Sequence, residues 1–325
     1  NAEAVTTTGQ TVIKSTADMG NIKYNKELGN PDLDSNIYID TDSVFFSAVP
    51  LMDKRLPNWK NEDQDTIAGY VNDIAEEMQD YLNDFYDILS KKIFNVDKDK
   101  HRLEIKKEYV AKAGLWIAKK RYAQWIISDN GVPCDKLDVK GLDVKRSSFP
   151  KAFQEIMSDV LISILRGQTE TEITDKVLSF KKSMVDLDIK NIAKNSAVKN
   201  LTKYMPKKGK RQLFSIMKGT PAHVKAAIMY NDCLRHFNAP FKFEPMRDGD
   251  KIKWVYLKNN PLGLDGLGFT GYSDPPEINN FIKTYTDHNR IFERELHRKL
   301  QDFYDAIGWG EVISEQKTAE KFFSF

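Results

Sequence analysis

Residues 37–46 read Ile-Tyr-Ile-Asp-Thr-Asp-Ser-Val-Phe-Phe, and this stretch decides the fold of the first part of the chain. Two runs of β-branched and aromatic residues flank a short polar centre, which is the pattern of a β-hairpin. The turn lacks the Asn-Gly or Asp-Gly pair that two-residue hairpins favour. Turn propensity alone therefore does not explain Asp40 and Asp42, although Asp, Thr and Ser are ordinary turn residues and a plain polar turn stays an alternative.

Two carboxylates on a tight hairpin turn are suited to holding divalent metal ions. Mg²⁺ prefers oxygen ligands and keeps coordination positions open for substrate phosphates. Pairs of metal ions stabilise both the attacking and the leaving oxygens of phosphoryl transfer. The five histidines and two cysteines have no metal-ligand spacing. Asp40 and Asp42 are therefore the candidate metal ligands.

Hydrophobic periodicity on either side of the hairpin predicts a mixed chain, in which helices alternate with small antiparallel sheets. The predicted elements are a helix over 2–20 that ends at Gly20, a long helix over 63–92, two or three strands within 102–127, a hairpin turn at 129–131, helices after Pro150, small strands within 241–271, and helices over 275–307. The fold class expected from this order is α+β.

The formal net charge of +2 conceals an uneven distribution of charge. No Asp or Glu occurs from residue 189 to residue 231. The same basic window holds ten cationic residues: Lys190, Lys194, Lys199, Lys203, Lys207, Lys208, Lys210, Arg211, Lys218 and Lys225. Such a stretch indicates binding to a polyanion. A solvated face without a partner is the alternative, and we expect it for Lys190 and Lys194.

Length and composition set limits on the class of protein. A chain of 325 residues is long enough for about two domains. We find no apolar run near the ~20 residues that a membrane span needs, and the first residues have no features of a signal peptide. Cys134 and Cys233 are far apart, and we expect both to be reduced thiols of a cytosolic protein.

Three segments, in this order and at suitable spacing, together resemble the family B DNA polymerases. Residues 38–43 resemble motif C of that family, residues 119–122 its Lys-Lys-Arg-Tyr element, and residues 141–150 the segment that enters the thumb. A finer resemblance is to the replicative polymerases of large tailed bacteriophages. It is carried by residues 2–10, 200–204, 223–225 and 322–325.

The resemblance implies how the chain is divided. Residues 1–135 would be the C-terminal part of the palm, an antiparallel hairpin sheet with packed helices. Residues 136–317 would be a mostly helical thumb that binds duplex DNA. Residues 318–325 would be a tail that binds a sliding clamp through Phe322, Phe323 and Phe325. An aromatic chain end that folds back onto its own core is the alternative for this tail.

The resemblance also implies roles for single residues at the metal site. Asp42 would be the stronger metal ligand and Asp40 the weaker or structural one, with Thr41 between them in the metal-binding turn. Glu108 falls where the family keeps a further catalytic carboxylate, although close phage relatives have another acid where this chain has Lys106. The cofactor of the complete enzyme would be two Mg²⁺ ions, with Mn²⁺ as a substitute.

The Lys-Lys-Arg-Tyr element contains a Lys-x-Tyr pair, Lys120 and Tyr122. The implied DNA-binding residues lie in this element, in the thumb entry and in the basic window. They are Lys119, Lys120, Tyr122, Lys145, Arg146, Ser147, Lys203, Lys210, Arg211, Lys218, His223 and Lys225. The implied partners are primer–template DNA, a deoxynucleoside triphosphate, an N-terminal polymerase half and the sliding clamp, with no membrane. The expected location is the cytoplasm of an infected bacterium.

Family motifs A and B and the exonuclease motifs are not found in this sequence. The resemblance therefore implies a C-terminal fragment or split subunit of a DNA-directed DNA polymerase, a nucleotidyltransferase that is inactive without its N-terminal complement. Two alternatives remain open. One is a non-catalytic module that binds DNA and the clamp. The other is a metal-dependent nuclease that uses Asp40, Asp42 and Glu108 by themselves.

Overall fold

The computed structural model of the chain describes residues 2–204, 212–239 and 242–313. The chain divides into two units, Asn1–Lys140 and Gly141–Phe325. The division predicted after residue 135 falls inside a strand, Val132–Lys140, which belongs to the first unit. The structure therefore puts the boundary at the end of that strand.

The first unit combines three helices with two antiparallel sheets. Its helices are α1 (Ala2–Leu28), α2 (Val49–Arg55) and α3 (Gln64–Phe94), and its strands are β1 (Asn36–Asp40), β2 (Ser43–Phe46), β3 (Tyr109–Ala118), β4 (Arg121–Asp129) and β5 (Val132–Lys140). β1 pairs with β2, and the order of the other sheet is β3-β4-β5. The predicted hairpin, the long helix and the turn at 129–131 are confirmed, whereas the strand predicted from residue 102 begins only at Tyr109.

The core of the first unit lies where the three helices meet. Tyr24 from α1, Leu51 and Met52 from α2, and Ile74 and Met78 from α3 pack in one buried cluster. The apolar residues that recur every three or four positions along α3 thus face the core. Asp63 caps the start of α3 by accepting a hydrogen bond from the Thr66 N–H, which satisfies one of the free donors there.

The sequence predicted that the first helix ends at Gly20, but α1 continues to Leu28. The glycine is buried, and a Cβ atom built on it would lie 2.3 Å from Cζ of Phe46 in β2. The absence of a side chain lets the Phe46 ring pack directly against the helix. Gly20 therefore serves the contact between α1 and the hairpin rather than helix termination.

Replacing Gly20 with alanine is expected to lower the free energy of unfolding, whereas Gly9→Ala in the same helix should raise it by roughly 0.5–1 kcal/mol. A Cβ on Gly9 meets nothing within 4 Å, so that variant reports helix propensity alone. Urea denaturation followed by circular dichroism measures both. Equal stabilisation of the two variants would show that Phe46 does not need the space above Gly20.

The second unit is mainly helical and contains one small antiparallel sheet. Its helices are α4 (Lys151–Leu165), α5 (Glu170–Ser183), α6 (Ile189–Ile192), α7 (Ala222–His236), α8 (Pro276–Tyr285), α9 (His288–Ile291) and α10 (Arg298–Ala306), with a π-helical turn, Phe292–His297, between the last two. The strands β6 (Lys194–Ala197), β7 (Lys251–Tyr256) and β8 (Gly266–Phe269) lie in the order β6-β7-β8. Short 3₁₀ turns occur at Trp59–Asn61, Asp143–Lys145, Met184–Asp186 and Leu201–Tyr204.

Close backbone approach joins helix α7 to strand β8. A Cβ on Gly268 would lie 3.0 Å from the carbonyl oxygen of Ala226.

Both units mix helices with antiparallel strands, and the expected α+β class is confirmed. Among the described residues, no helix is both long enough and apolar enough to cross a membrane.

Candidate active-site hairpin and nucleic-acid interface

The hairpin of β1 and β2 closes through a turn of two residues. Asp40 pairs with Ser43 across the strands, which leaves Thr41 and Asp42 in the turn. The Asp42 N–H donates to the Asp40 carbonyl at 2.6 Å, and Thr41 has a φ of 53°. A β-branched residue is uncommon in this left-handed region, so contacts from outside the turn must help to hold it. Asp42 is exposed, whereas Asp40 is partly buried.

Lys120 supplies those contacts from the tight turn between β3 and β4. Its ammonium nitrogen lies 3.0 Å from Oδ1 of Asp40 and 3.4 Å from Oγ1 of Thr41. Its backbone N–H donates to the Tyr38 hydroxyl at 2.8 Å, across 82 residues of sequence. The motif C-like turn and the Lys-x-Tyr element are therefore adjacent in the structure.

An aromatic cluster underlies the two turns. The ring centroids of Tyr38 and Phe45 lie 5.5 Å and 5.7 Å from that of Tyr122, and Trp116 stacks on Tyr122 at 6.2 Å. Tilted and edge-on pairs at such distances add to the stability that burial provides. Sequence reasoning missed Phe45 and Trp116 as site residues, although Trp116 lies opposite Tyr122 in the β3–β4 register.

The electrostatic surroundings of Asp40 favour its ionised form. Burial acts most strongly on this carboxyl group and by itself would raise its pKa. Hydrogen bonds from Lys120 and Thr41, with the charges of Lys120 and Lys119, together outweigh burial, so the pKa of Asp40 lies below its usual value. Asp40 is therefore a carboxylate at neutral pH and offers oxygen ligands to a cation.

Replacing Lys120 with methionine is expected to raise the pKa of Asp40. The variant removes a hydrogen bond and a charge that stabilise the carboxylate, while the burial that disfavours it remains. Asp40 in the variant should then take up its proton at a higher pH than in the unaltered chain. A titration of the Asp40 carboxyl carbon by NMR measures this shift, and an unchanged midpoint would contradict the assigned role of Lys120.

Glu108 is not brought to the carboxylate turn. Its carbonyl accepts the Asn130 N–H at 2.6 Å, beside the turn between β4 and β5. Lys119 and Lys120 lie at the opposite end of the β3–β4 hairpin, because β3 runs from Tyr109 to Ala118. The structure therefore does not group this glutamate with Asp40 and Asp42.

The donor set at the turn fits part of a magnesium site. Asp40 and Asp42 provide hard oxygen ligands of the kind that Mg²⁺ prefers. Within the described ranges, no group of three or more His, Cys, Asp or Glu side chains is arranged to hold a metal ion. The two aspartates would accordingly share such an ion with ligands from elsewhere.

The residues expected at the thumb entry are all in the second unit. Lys145 is exposed, and Arg146 forms an ion pair with Asp143 at 2.8 Å. The carbonyl of Ser147 accepts a hydrogen bond from the Asn195 side chain at 3.2 Å. Arg146 is exposed and Lys299 also pairs with Asp143, so Arg146 can exchange its partner without leaving this carboxylate unpaired.

Among its described residues, the basic window contains both exposed and ion-paired cations. Lys203 and Lys218 are exposed, whereas Lys225 pairs with Asp265 at 2.7 Å. His223 is half-buried, and burial, with a smaller effect from the charge of Lys194, lowers its pKa. The expected DNA contacts Lys210 and Arg211 lie outside the described residues, as do the tail residues Phe322, Phe323 and Phe325.

The sequence predicted that Lys194 is merely solvated, but its side chain has partners in the structure. Its ammonium nitrogen lies 3.0 Å from the carboxylate of Glu295, a side chain in the π-helical turn. Glu295 is buried, and the hydroxyl of Tyr256 also reaches its carboxylate. Lys194 lies over the Trp254 ring as well, 5.2 Å from its centroid. Lys194 is therefore part of the fold, whereas Lys190 is exposed as expected.

The chain belongs to DNA polymerase family B, whose sequence model matches residues 69–297. That match begins after the hairpin, and two longer alignments extend the similarity.

The two relatives are bacteriophage enzymes. The chain is 24% identical to a DNA-directed DNA polymerase of Enterobacteria phage T4 over 324 residues, which covers 95% of the chain. It is 25% identical to a DNA-directed DNA polymerase of Escherichia phage RB69 over 330 residues, which covers 94%. The chain spans 34% of the length of each of these relatives.

Proposed function

We propose that the chain is the C-terminal part of a DNA-directed DNA polymerase, with part of the palm in the first unit and the thumb in the second. The observation that carries this proposal is the contact of Lys120 with Asp40, Thr41 and Tyr38. It joins a turn fitted to metal ions with a cationic turn fitted to the primer terminus. A plain polar turn would need no such partner.

The residues of the first unit divide the chemistry among themselves. Asp42 would bind the metal ion, and Asp40 would both orient the turn and offer a second carboxylate. A bound Mg²⁺ ion would supply charge neutralisation for the triphosphate. Lys120 stabilises the ionised form of Asp40, and the Tyr122 ring packs against Tyr38 and Phe45 of the hairpin. The role expected for Glu108 has no geometric support, and we leave it out of the proposed centre.

Activity requires the portion of the polymerase that this chain does not cover. The two aspartates are too few to hold both ions, and the chain spans 34% of its phage relatives. The remaining ligands and the triphosphate-binding cation would come from that portion. The incomplete set of metal ligands also supports a second candidate, a non-catalytic module that binds DNA and a clamp. Restoration of primer extension by the missing portion separates the two candidates.

The DNA-binding residues of each unit would contact phosphates rather than bases. Lys119 and Lys120 would hold the primer terminus, and exposed Lys145, Lys203 and Lys218 would follow the duplex backbone. His223 would act as a neutral hydrogen-bond donor near pH 7, because its pKa is lowered. Arg146 and Lys225 would exchange their carboxylate partners, Asp143 and Asp265, for phosphates. Lys210 and Arg211 keep this role on the sequence alone.

Two further parts of the proposal also rest on sequence. Phe322, Phe323 and Phe325 would anchor the polymerase to a sliding clamp, because aromatic side chains bury much surface per residue. A polymerase of this kind would act in the cytoplasm of an infected bacterium, where the phage genome is copied.

Replacing Lys120 with methionine is expected to weaken primer–template binding about tenfold at low salt. The change removes one cation from the primer terminus, and a charged contact of this type is worth about 1–2 kcal/mol. Fluorescence anisotropy with a labelled primer–template measures the affinity. Lys92→Met removes an exposed cation from α3 in the same unit and should leave the affinity unchanged. Equal affinities of the two variants would refute the primer-terminus assignment.

A further inference from the structure

Two lysine side chains lie next to each other over Gly271 in the second unit. A Cβ on this glycine would lie 3.2 Å from Cδ of Lys253 and 3.9 Å from Cγ of Lys190. Gly271 has a φ of 84°, so the backbone turns sharply beneath the two side chains. The charge of Lys190 disfavours the charged form of Lys253, and a bound anion would relieve this repulsion.

Lys253 is held in place but keeps one donor free. Its ammonium group donates to the carbonyl of Lys190 at 3.1 Å and to Oδ1 of Asn195 at 2.8 Å. An ammonium group has three N–H donors, so one remains. Among the described residues, no carboxylate forms an ion pair with Lys253 or Lys190.

The surroundings of Lys253 disfavour its charge when no anion is bound. Burial is the main reason that the pKa of Lys253 lies below its usual value. The charge of Asp188 opposes this effect, and the charge of Lys190 adds to it. A bound phosphate would favour the charged lysine and compensate for its burial.

An exposed aromatic residue follows the glycine against which the two lysines pack. Tyr272 follows Gly271 directly, and 87% of its surface is exposed. The loop that carries it is ordered by hydrogen bonds, because the Asp274 carboxylate accepts the N–H groups of Thr270 and Gly271, each at 2.8 Å. A large ring that is held out into solvent contributes no burial to the fold and is available to a ligand.

We propose that Lys190, Lys253 and Tyr272 form a site for an unpaired DNA strand, in which the lysines bind phosphate and the ring stacks on a base. This inference rests on the proposed DNA-binding function. Cations that follow the backbone, combined with an exposed aromatic ring, are the usual means of binding single strands. Bases inside a duplex are already stacked and give Tyr272 no partner. Asn195, which holds Lys253, also donates to the Ser147 carbonyl, so the site adjoins the proposed thumb entry.

The test measures the affinity of the full chain for a labelled oligothymidylate and for a labelled duplex by fluorescence anisotropy. Tyr272→Ala should weaken binding to oligothymidylate about tenfold, because base stacking on an aromatic ring is worth ~1–3 kcal/mol. Tyr272→Phe, which keeps the ring, should bind like the unaltered chain. Duplex affinity should change less than twofold in both tyrosine variants.

The lysines are tested through the salt dependence of binding. A chain carrying both Lys190→Met and Lys253→Met should show a salt slope for oligothymidylate smaller by about 1.4, since each phosphate contact on a single strand contributes ~0.7. Lys182→Met, which removes an exposed cation of α5, should leave the slope unchanged and serves as the control.

Three results would overturn the inference. The first is oligothymidylate binding by Tyr272→Ala that equals that of Tyr272→Phe. The second is an unchanged salt slope in the double lysine variant. The third is a chain that binds duplex but no oligothymidylate, which removes this site and leaves the proposed function intact. A chain that binds neither DNA would instead refute the proposed function itself.

Discussion

Replacing Asp42 with asparagine is expected to reduce primer extension by about a thousandfold when the chain is combined with the rest of the polymerase. Asparagine keeps the shape of the side chain but loses the charge that we propose binds the metal ion. Charge stabilisation by a metal is worth several kcal/mol in the transition state, and each ~1.4 kcal/mol is a factor of ten in rate. Single-turnover extension of a labelled primer measures the rate of the chemical step.

Binding measurements separate a catalytic role of Asp42 from a structural one. Because Asp42 is exposed in the turn, Asp42→Asn should leave the affinity for primer–template within about twofold. Asp32→Asn replaces another exposed aspartate of the same unit and should affect neither rate nor affinity. A large loss of DNA affinity in Asp42→Asn, or a retained extension rate, would refute the catalytic role.

Replacing Lys194 with methionine is expected to destabilise the second unit by about 2–4 kcal/mol. The change leaves the carboxylate of Glu295 buried without its cation, and removal of one partner from a buried pair is costly. Urea denaturation followed by circular dichroism measures the loss. Lys182→Met removes an exposed lysine and should change stability by no more than about 0.5 kcal/mol.

A double-mutant cycle tests whether the loss comes from the buried charge. Glu295→Gln in the Lys194→Met background should recover part of the stability, because a neutral amide costs less to bury than an unpaired carboxylate. No recovery would mean that Lys194 acts through its contact with the Trp254 ring, 5.2 Å away. A loss below about 0.5 kcal/mol in Lys194→Met would contradict the pairing altogether.

Local sequence patterns predicted the elements that carry the site. Runs of β-branched and aromatic residues around a polar centre predicted the hairpin, and apolar residues that recur every three or four positions predicted the long helix Gln64–Phe94. These predictions succeed because hydrophobic periodicity and turn propensity depend on residues that are close together in the sequence. Gly20 misled the prediction, because its role is set by Phe46, which is distant in sequence.

The contacts that complete the site could not be predicted from local patterns. The hydrogen bond from Lys120 to Tyr38 spans 82 residues and depends on how two hairpins pack. Only the family resemblance connected the two motifs in the sequence. It also grouped Glu108 with the aspartates, and among the described residues no metal-binding group contains the three together.

Charge patterns were equally incomplete as guides to binding residues. The acid-free window predicted a basic surface, but it did not reveal that Lys194 pairs with Glu295, 101 residues away. The same window missed Lys253, which lies outside it and faces Lys190 only through the fold. Ion pairs depend on tertiary packing, so counting charges along the sequence does not predict them.

Primer extension by recombined polypeptides tests the central claim most directly. The chain is mixed with a polypeptide that supplies the portion of family B polymerases it does not cover, together with Mg²⁺, primer–template and deoxynucleoside triphosphates. We predict no extension by either polypeptide alone and template-directed extension by the mixture. Extension by this chain without its complement, or none by a mixture that binds primer–template DNA, would contradict the claim that the Asp40–Asp42 turn is one part of a divided polymerase centre.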